Sequence, residues 1–166
     1  CVNKEGTVRY DCSELPMTHF KPKEIGTSIQ KLKELGYEKD MRGKPLENED
    51  QILELKPQDI VIPCCPDSPD ESSDAILFRT ANFVDEELAL LYGLNPYYNL
   101  KNKEDIVGHL IIGLAPHTSA GTLGRIIGSS ETQGFFAHPL MHAAMRRDCD
   151  GDESCFILLL DSFFHF

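Results

Sequence analysis

Apolar residues recur at Ile25, Ile29, Leu32 and Leu35, a spacing of three to four that lays them along one face of a helix. Pro22 stands at the start of this stretch and Gly36 just past its end, so the pattern predicts a helix over Lys23 to Leu35 with Ile29 and Leu32 in the core. Upstream, the turn signal Lys4-Glu5-Gly6 leads into alternating Thr7, Val8, Arg9 and Tyr10, which predicts a short hairpin or an edge strand. The β-branched run Asp59-Ile60-Val61-Ile62 predicts a strand, as does Ala75 to Phe78. Val84 to Tyr92 reads as a helix ended by Gly93, NPYYN as a turn, and Glu104 to Leu110 as another helical segment. Beyond Gly113 the periodic pattern gives way to small and polar residues, APHTSAGTLGRIIGSSETQG, in which four glycines fall within 20 positions. Such a stretch suits tight crossings of strands and loops around a site. The chain is therefore α+β.

Length and charge narrow the picture. At 166 residues the chain suits one domain or two small ones, and a complete multidomain enzyme is excluded. Its 16 basic and 27 acidic residues leave a net charge of -11, which is not that of a basic nucleic-acid-binding module. Nine acidic residues and one lysine lie between Glu47 and Asp74, ending in PCCPDSPDESSD, where Pro, Ser and Asp leave little to bury. That composition divides the chain into an N-terminal α/β segment over 1–63, an acidic surface loop over 64–74, and the remainder over 75–166. The apolar runs Leu110 to Ala115 and Phe156 to Leu160 are far short of the roughly 20 residues that cross a bilayer, so no membrane partner is expected. The opening CVNKEGTVRYD has no basic leader and apolar stretch, which makes a cytoplasmic setting the expectation. A chain that opens on Cys1 and stops within FILLLDSFFHF reads as an internal piece of something longer.

The six cysteines, at 1, 12, 64, 65, 149 and 155, include no CxxC pair, and adjacent Cys64 and Cys65 suit neither one tetrahedral zinc nor an ordinary disulfide. Zinc is not expected within the segment.

Candidate chemistry concentrates in HPLMHAAMRRDCDGDES, where Asp148, Asp150 and Asp152 alternate around Gly151. In extended backbone such residues share one side, and clustered carboxylates repel unless a cation lies between them. Oxygen-only donors select hard ions such as Mg²⁺, Mn²⁺ or Ca²⁺. An EF-hand loop beginning at Asp148 fails, because its sixth position is Glu153 where Gly is required and its twelfth is Leu159 where Glu is required. A Mg²⁺ site that leaves room for substrate phosphates fits better. Arg146 and Arg147 directly precede the carboxylates and would stabilise charge on a transferring phosphoryl group, though ion pairing with the aspartates accounts for them equally well. His138 and His142 are four apart on a helix expected to begin at Pro139, but the glutamate of HExxH is missing, which favours a packed or surface pair.

The blocks GHLIIGLAPHTSAGTLGRIIG and FAHPLMHAAMRRDCDGDES, together with THFKPKEIG and KPLENEDQILELKPQDIV upstream, resemble the catalytic region of the large subunit of the archaeal D-family DNA polymerases. The resemblance runs from about Gly6 to Leu160 and breaks only at CCPDSPDESSD. It implies part of a core of double-psi β-barrels with flanking helices, a fold shared with multisubunit RNA polymerases, whose DFDGD loop is similar to DCDGD here. It implies DNA-directed DNA polymerase activity in a longer subunit, the fragment itself being inactive, with primer-template DNA and dNTP as substrates. It also implies a small subunit with 3′-5′ exonuclease activity as partner and two metal ions in nucleotidyl transfer to the primer 3′ end. Carried over, the catalytic aspartates are Asp150 and Asp152, with Asp148 as a possible third ligand; the family usually has Asn at Asp148 and Lys at Met145. His117 in PHTSAG and Arg125 in GRIIG fall inside the matched block and are expected to face nucleotide or primer, against loop capping and a surface ion pair as the plainer roles. Two rival readings stand beside this one, a noncatalytic module with a remnant metal site and a related barrel RNA polymerase.

Overall fold

The computed structural model describes residues 10–64, 73–114, 121–131, 134–145 and 153–160. Six of the described strands close into a barrel: β1 (Tyr10–Pro16), β4 (Asp59–Pro63), β5 (Leu110–Leu114), β6 (Gly121–Ser130), β7 (Gly134–Ala137) and β8 (Glu153–Leu158). Around the ring the order is β1-β7-β4-β6-β5-β8, and β8 returns to β1. The pairs β1–β7 and β4–β6 are parallel, and the other four are antiparallel. Closure leaves no ladder edge open on the barrel itself.

This pattern has an internal two-fold. Exchanging β7 with β4, β1 with β6 and β8 with β5 carries each parallel pair onto a parallel pair and each antiparallel pair onto an antiparallel one. One half is then β4, β5 and β6 in chain order; the other is β7, β8 and, taken from the front of the chain, β1. A helix follows the first strand of each half: α3 (Ser73–Leu91) after β4 and α4 (Pro139–Ala144) after β7.

Barrel closure explains why several local expectations change. Tyr10 begins a strand as expected, but that strand is no edge, since it pairs with β7 on one side and β8 on the other; residues 7–9 lie outside the described residues. The barrel also takes β1 and β4 from the stretch over 1–63 that composition set apart. Ala75 to Phe78 is the beginning of α3 and not a strand, because Leu77, Ala81, Val84 and Leu88 continue one helical face into the barrel core. The Glu104 to Leu110 segment shrinks to a 3₁₀ turn over Lys103–Ile106, and Leu110 already opens β5.

Outside β4 lies a second layer built from α1 (Pro22–Ile25), α2 (Ile29–Glu34) and the two-stranded sheet of β2 (His19–Phe20) with β3 (Leu53–Glu54). All five residues of β4 are buried. Ile60 and Ile62 point into the barrel with Ile111, Ile126, Phe135 and Phe156, while Val61 points out among Phe20, Leu32, Leu46 and Leu53. The single helix expected over Lys23 to Leu35 is broken in two. Gly26 takes φ +66°, Thr27 donates its hydroxyl to the Ile127 carbonyl at 2.5 Å, and the Ser28 hydroxyl accepts from the Lys31 N–H as the cap of α2. The apolar spacing stays in phase across the break because tertiary anchoring, which periodicity does not encode, holds both pieces to one surface. Leu32 is fully buried and Ile29 packs at the margin of that cluster.

The anchor sits at a bulge. The β4–β6 register shifts between Ile60 and Val61, which pair with Ile126 and Gly128, so that Ile127 is extra and turns toward the outer layer. A Cβ on Gly128 would lie 2.6 Å from Thr27 Oγ1 and 2.7 Å from the Ile25 carbonyl oxygen. Gly128→Ala is therefore expected to destabilise the junction of the two layers by about 1–3 kcal/mol, the usual cost of overpacking. Hydrogen exchange of the β4 amides in the variant and the parent measures it; equal protection would mean that the layers separate freely at this point.

Candidate functional site

β5 ends at Leu114 and β6 begins at Gly121, and these two residues pair with each other. On the other side of β5, Leu114 pairs with Cys155 near the start of β8. Leu114 and Gly121, on either side of the segment 115–120 that holds His117, thus lie at the same end of the barrel as the start of β8, which follows in sequence the segment 146–152 that holds Asp148, Asp150 and Asp152. The approach to the second segment leads to the same place. Met145, just after α4, is buried in the barrel core, and its terminal carbon lies 3.1 Å from where a Cβ on Gly113 would stand. A glycine at 113 leaves room for this side chain. On the far side of the segment, Glu153 is fixed by pairing with Ser13 of β1. Topology therefore brings the flanks of PHTSAG and RRDCDGD together, although the sequence separates them by some 30 positions. His117, Arg146, Arg147, Asp148, Asp150 and Asp152 themselves lie outside the described residues.

α4 forms where Pro139 predicts it. His138 is its N-cap, with Nδ1 accepting the Leu140 N–H at 3.0 Å. His142 is fully buried, its Nε2 3.0 Å from the Leu15 carbonyl, so that nitrogen donates. The two imidazoles are a cap and a packed core group, as the missing glutamate suggested. Among the described residues no group of three His, Cys, Asp or Glu side chains is placed to hold a metal ion. Met145, where a lysine was the family expectation, fills core volume.

Arg125 lies four residues along β6 from Gly121, about 13 Å at the rise of a strand. It meets a carboxylate. Nε and Nη2 donate to Asp59 Oδ1 and Oδ2, both at 2.8 Å, in a two-pronged pair. Asp59 is fully buried, and its Oδ2 also accepts from the Tyr37 hydroxyl, which in turn accepts the Lys56 N–H at 3.1 Å. Burial, reinforced by the hydrogen bond to Asp59, pushes the Tyr37 phenol far above its usual range. The same carboxylate raises the Arg125 guanidinium. This network ties β6 to β4 and both to the outer layer. The sequence held one signal for it, an aspartate heading a wholly apolar strand, which burial makes costly unless a cation answers it.

Comparison with known proteins gives the chain its place. The family model described as DNA polymerase II large subunit DP2, catalytic domain, matches residues 1–166. The chain is 56% identical to the DNA polymerase II large subunit of Archaeoglobus fulgidus and 52% identical to that of Pyrococcus furiosus, each over 99% of its own length. It is 52% identical to the same subunit of Nanoarchaeum equitans. It belongs to the family of the DNA polymerase II large subunit and falls within the catalytic domain. It spans only 14% of the length of the first of these relatives and 12% of the second.

Proposed function

We propose that the chain supplies the metal-binding aspartates of a DNA-directed DNA polymerase that transfers nucleotides from dNTP to a primer 3′ end. The observation that carries this reading is the full-length family match, which includes DCDGD between α4 and β8. In the subunit's larger assembly it works with primer-template DNA and a small 3′-5′ exonuclease subunit, in the cytoplasm. The barrel is read as double-psi, a reading supported by the closed six-strand ring and its two parallel pairs related by a two-fold.

The donor set suits a hard divalent ion, since Asp148, Asp150 and Asp152 offer only carboxylate oxygen and recur at every second residue. These residues would hold Mg²⁺, with Mn²⁺ as a substitute, and the bound ion supplies neutralisation of charge at the reacting phosphate. The protein's own contribution is placement. Buried Met145 and paired Glu153 fix the chain on either side of the aspartate segment. Arg146 and Arg147, next to the aspartates in sequence, would bind the triphosphate, and His117, in the chain between β5 and β6, would contact nucleotide or primer. Arg125, with its guanidinium on Asp59, braces the strand that carries this connection; direct phosphate contact would require it to release that carboxylate.

Mg²⁺-dependent primer extension by the full-length large subunit with its small subunit tests the assignment. Asp152→Asn should abolish extension while primer-template binding persists; wild-type rates in that variant would sink it. An unchanged KM for dNTP in His117→Ala or Arg125→Ala would remove the altered residue from the nucleotide site.

A further inference from the structure

Helix α3 carries apolar residues on two faces. One face puts Leu77, Ala81, Val84 and Leu88 into the barrel core. The other carries Ile76, Phe83 and Leu90 at intervals of seven, so that each is turned only about 20° from the last. Phe83 is 51% exposed and Leu90 82%. Leu94 and Tyr97, in the turn that follows, are exposed as well. That turn is held firmly: Asp85 accepts the N–H groups of Tyr97 and Tyr98 at 3.0 Å and of Asn99 at 2.7 Å, and Leu94 N–H reaches the Leu88 carbonyl at 2.8 Å. The C-terminal end of α3 is therefore fixed in place, and exposed apolar side chains repeating along one face of a held helix mark an interface.

Two observations say what covers it. The chain is about one-seventh of the length of the relatives it matches, so most of the subunit's polypeptide lies elsewhere. Glu86, exposed beside the stripe, adds negative charge that suits a basic flank on a protein partner and not a phosphate backbone.

We propose that the outer face of α3 forms a docking surface for a helix of the same large subunit, from polypeptide outside these 166 residues. Apolar residues seven apart stay on one face of α3, so the occupant is an amphipathic helix laid along it, with its apolar face on Phe83 and Leu90 and basic residues opposite Glu86.

The test is maleimide labelling of Phe83→Cys and Leu90→Cys in the full-length large subunit, read by peptide mass spectrometry against the denatured protein. Both side chains are exposed in this chain, so the substitutions leave the barrel core intact. The expected result is labelling slowed by at least about 100-fold in the native large subunit alone, as for a site reached only by local opening. Adding Leu90→Glu to Phe83→Cys should restore fast labelling. Rapid labelling of the large subunit by itself overturns the proposal, whether or not the small subunit or primer-template DNA then protects the site. Protection that falls away on dilution also overturns it, because the occupant would be a second copy.

Discussion

Asp150→Asn in the intact large subunit is expected to lower Mg²⁺-dependent primer extension on the order of 10²–10³-fold, the range seen when one group that stabilises transition-state charge is removed. The change keeps the shape of the side chain and deletes one negative charge. The chain on either side of the segment is held by Met145 in the core and by the pairing of Glu153 with Ser13 of β1. Removing one of several neighbouring carboxylates relieves repulsion, so stability without metal should hold or rise while activity falls. That opposition separates a catalytic role from a structural one. Stopped-flow extension gives the rate, and primer-template affinity measured alongside should be unchanged. A variant that extends as well as the parent would leave the aspartates as a remnant.

Asp59→Ala is expected to cost about 3–5 kcal/mol of local stability at the junction of β4 and β6, the usual penalty for breaking a buried ion pair from one side. The substitution strands the Arg125 guanidinium, whose side chain is only 20% exposed, and takes the acceptor from the buried Tyr37 hydroxyl. Hydrogen exchange at Ile60 to Ile62 in the full-length subunit reads the loss. The double variant Asp59→Ala/Arg125→Met should recover most of it, since it leaves no buried charge unanswered. A small loss in the single variant, or no recovery in the double, would mean that Arg125 swings into solvent and the network is not a brace.

Much of this fold could be read from local pattern, and what could not has a common cause. The strand at Asp59 to Ile62, the start of α4 at Pro139 and the turn after Gly93 are written in nearby residues. The break at Gly26 is not, because Thr27 and Ser28 take partners that include the carbonyl of Ile127, 100 residues away. Nor is the beginning of α3 at Ser73, whose hydroxyl donates to the Pro63 carbonyl across a Pro- and Ser-rich stretch that reads only as loop. For the candidate site, the charge density of DCDGD points only to a cation, and the catalytic reading of Asp150 and Asp152 comes from the family resemblance. The role of Arg125 was hidden, since its carboxylate partner lies 66 residues upstream and looks like the edge of an acidic run.

The borrowed strand β1 has a consequence for how the chain is made. Ser13 pairs with Gly134 on one side and Glu153 on the other, so its partners are synthesised about 120 and 140 residues later. At a translation rate of about 5–20 residues per second, β1 has left the ribosome roughly 7 to 28 s before β8 can close the ring. Through that interval β4, β5 and β6 can pair among themselves, but their outer ladders stay open to any neighbouring nascent chain. The subunit should therefore be most prone to aggregation during its own synthesis, with the last strand of the barrel as the step that ends the risk.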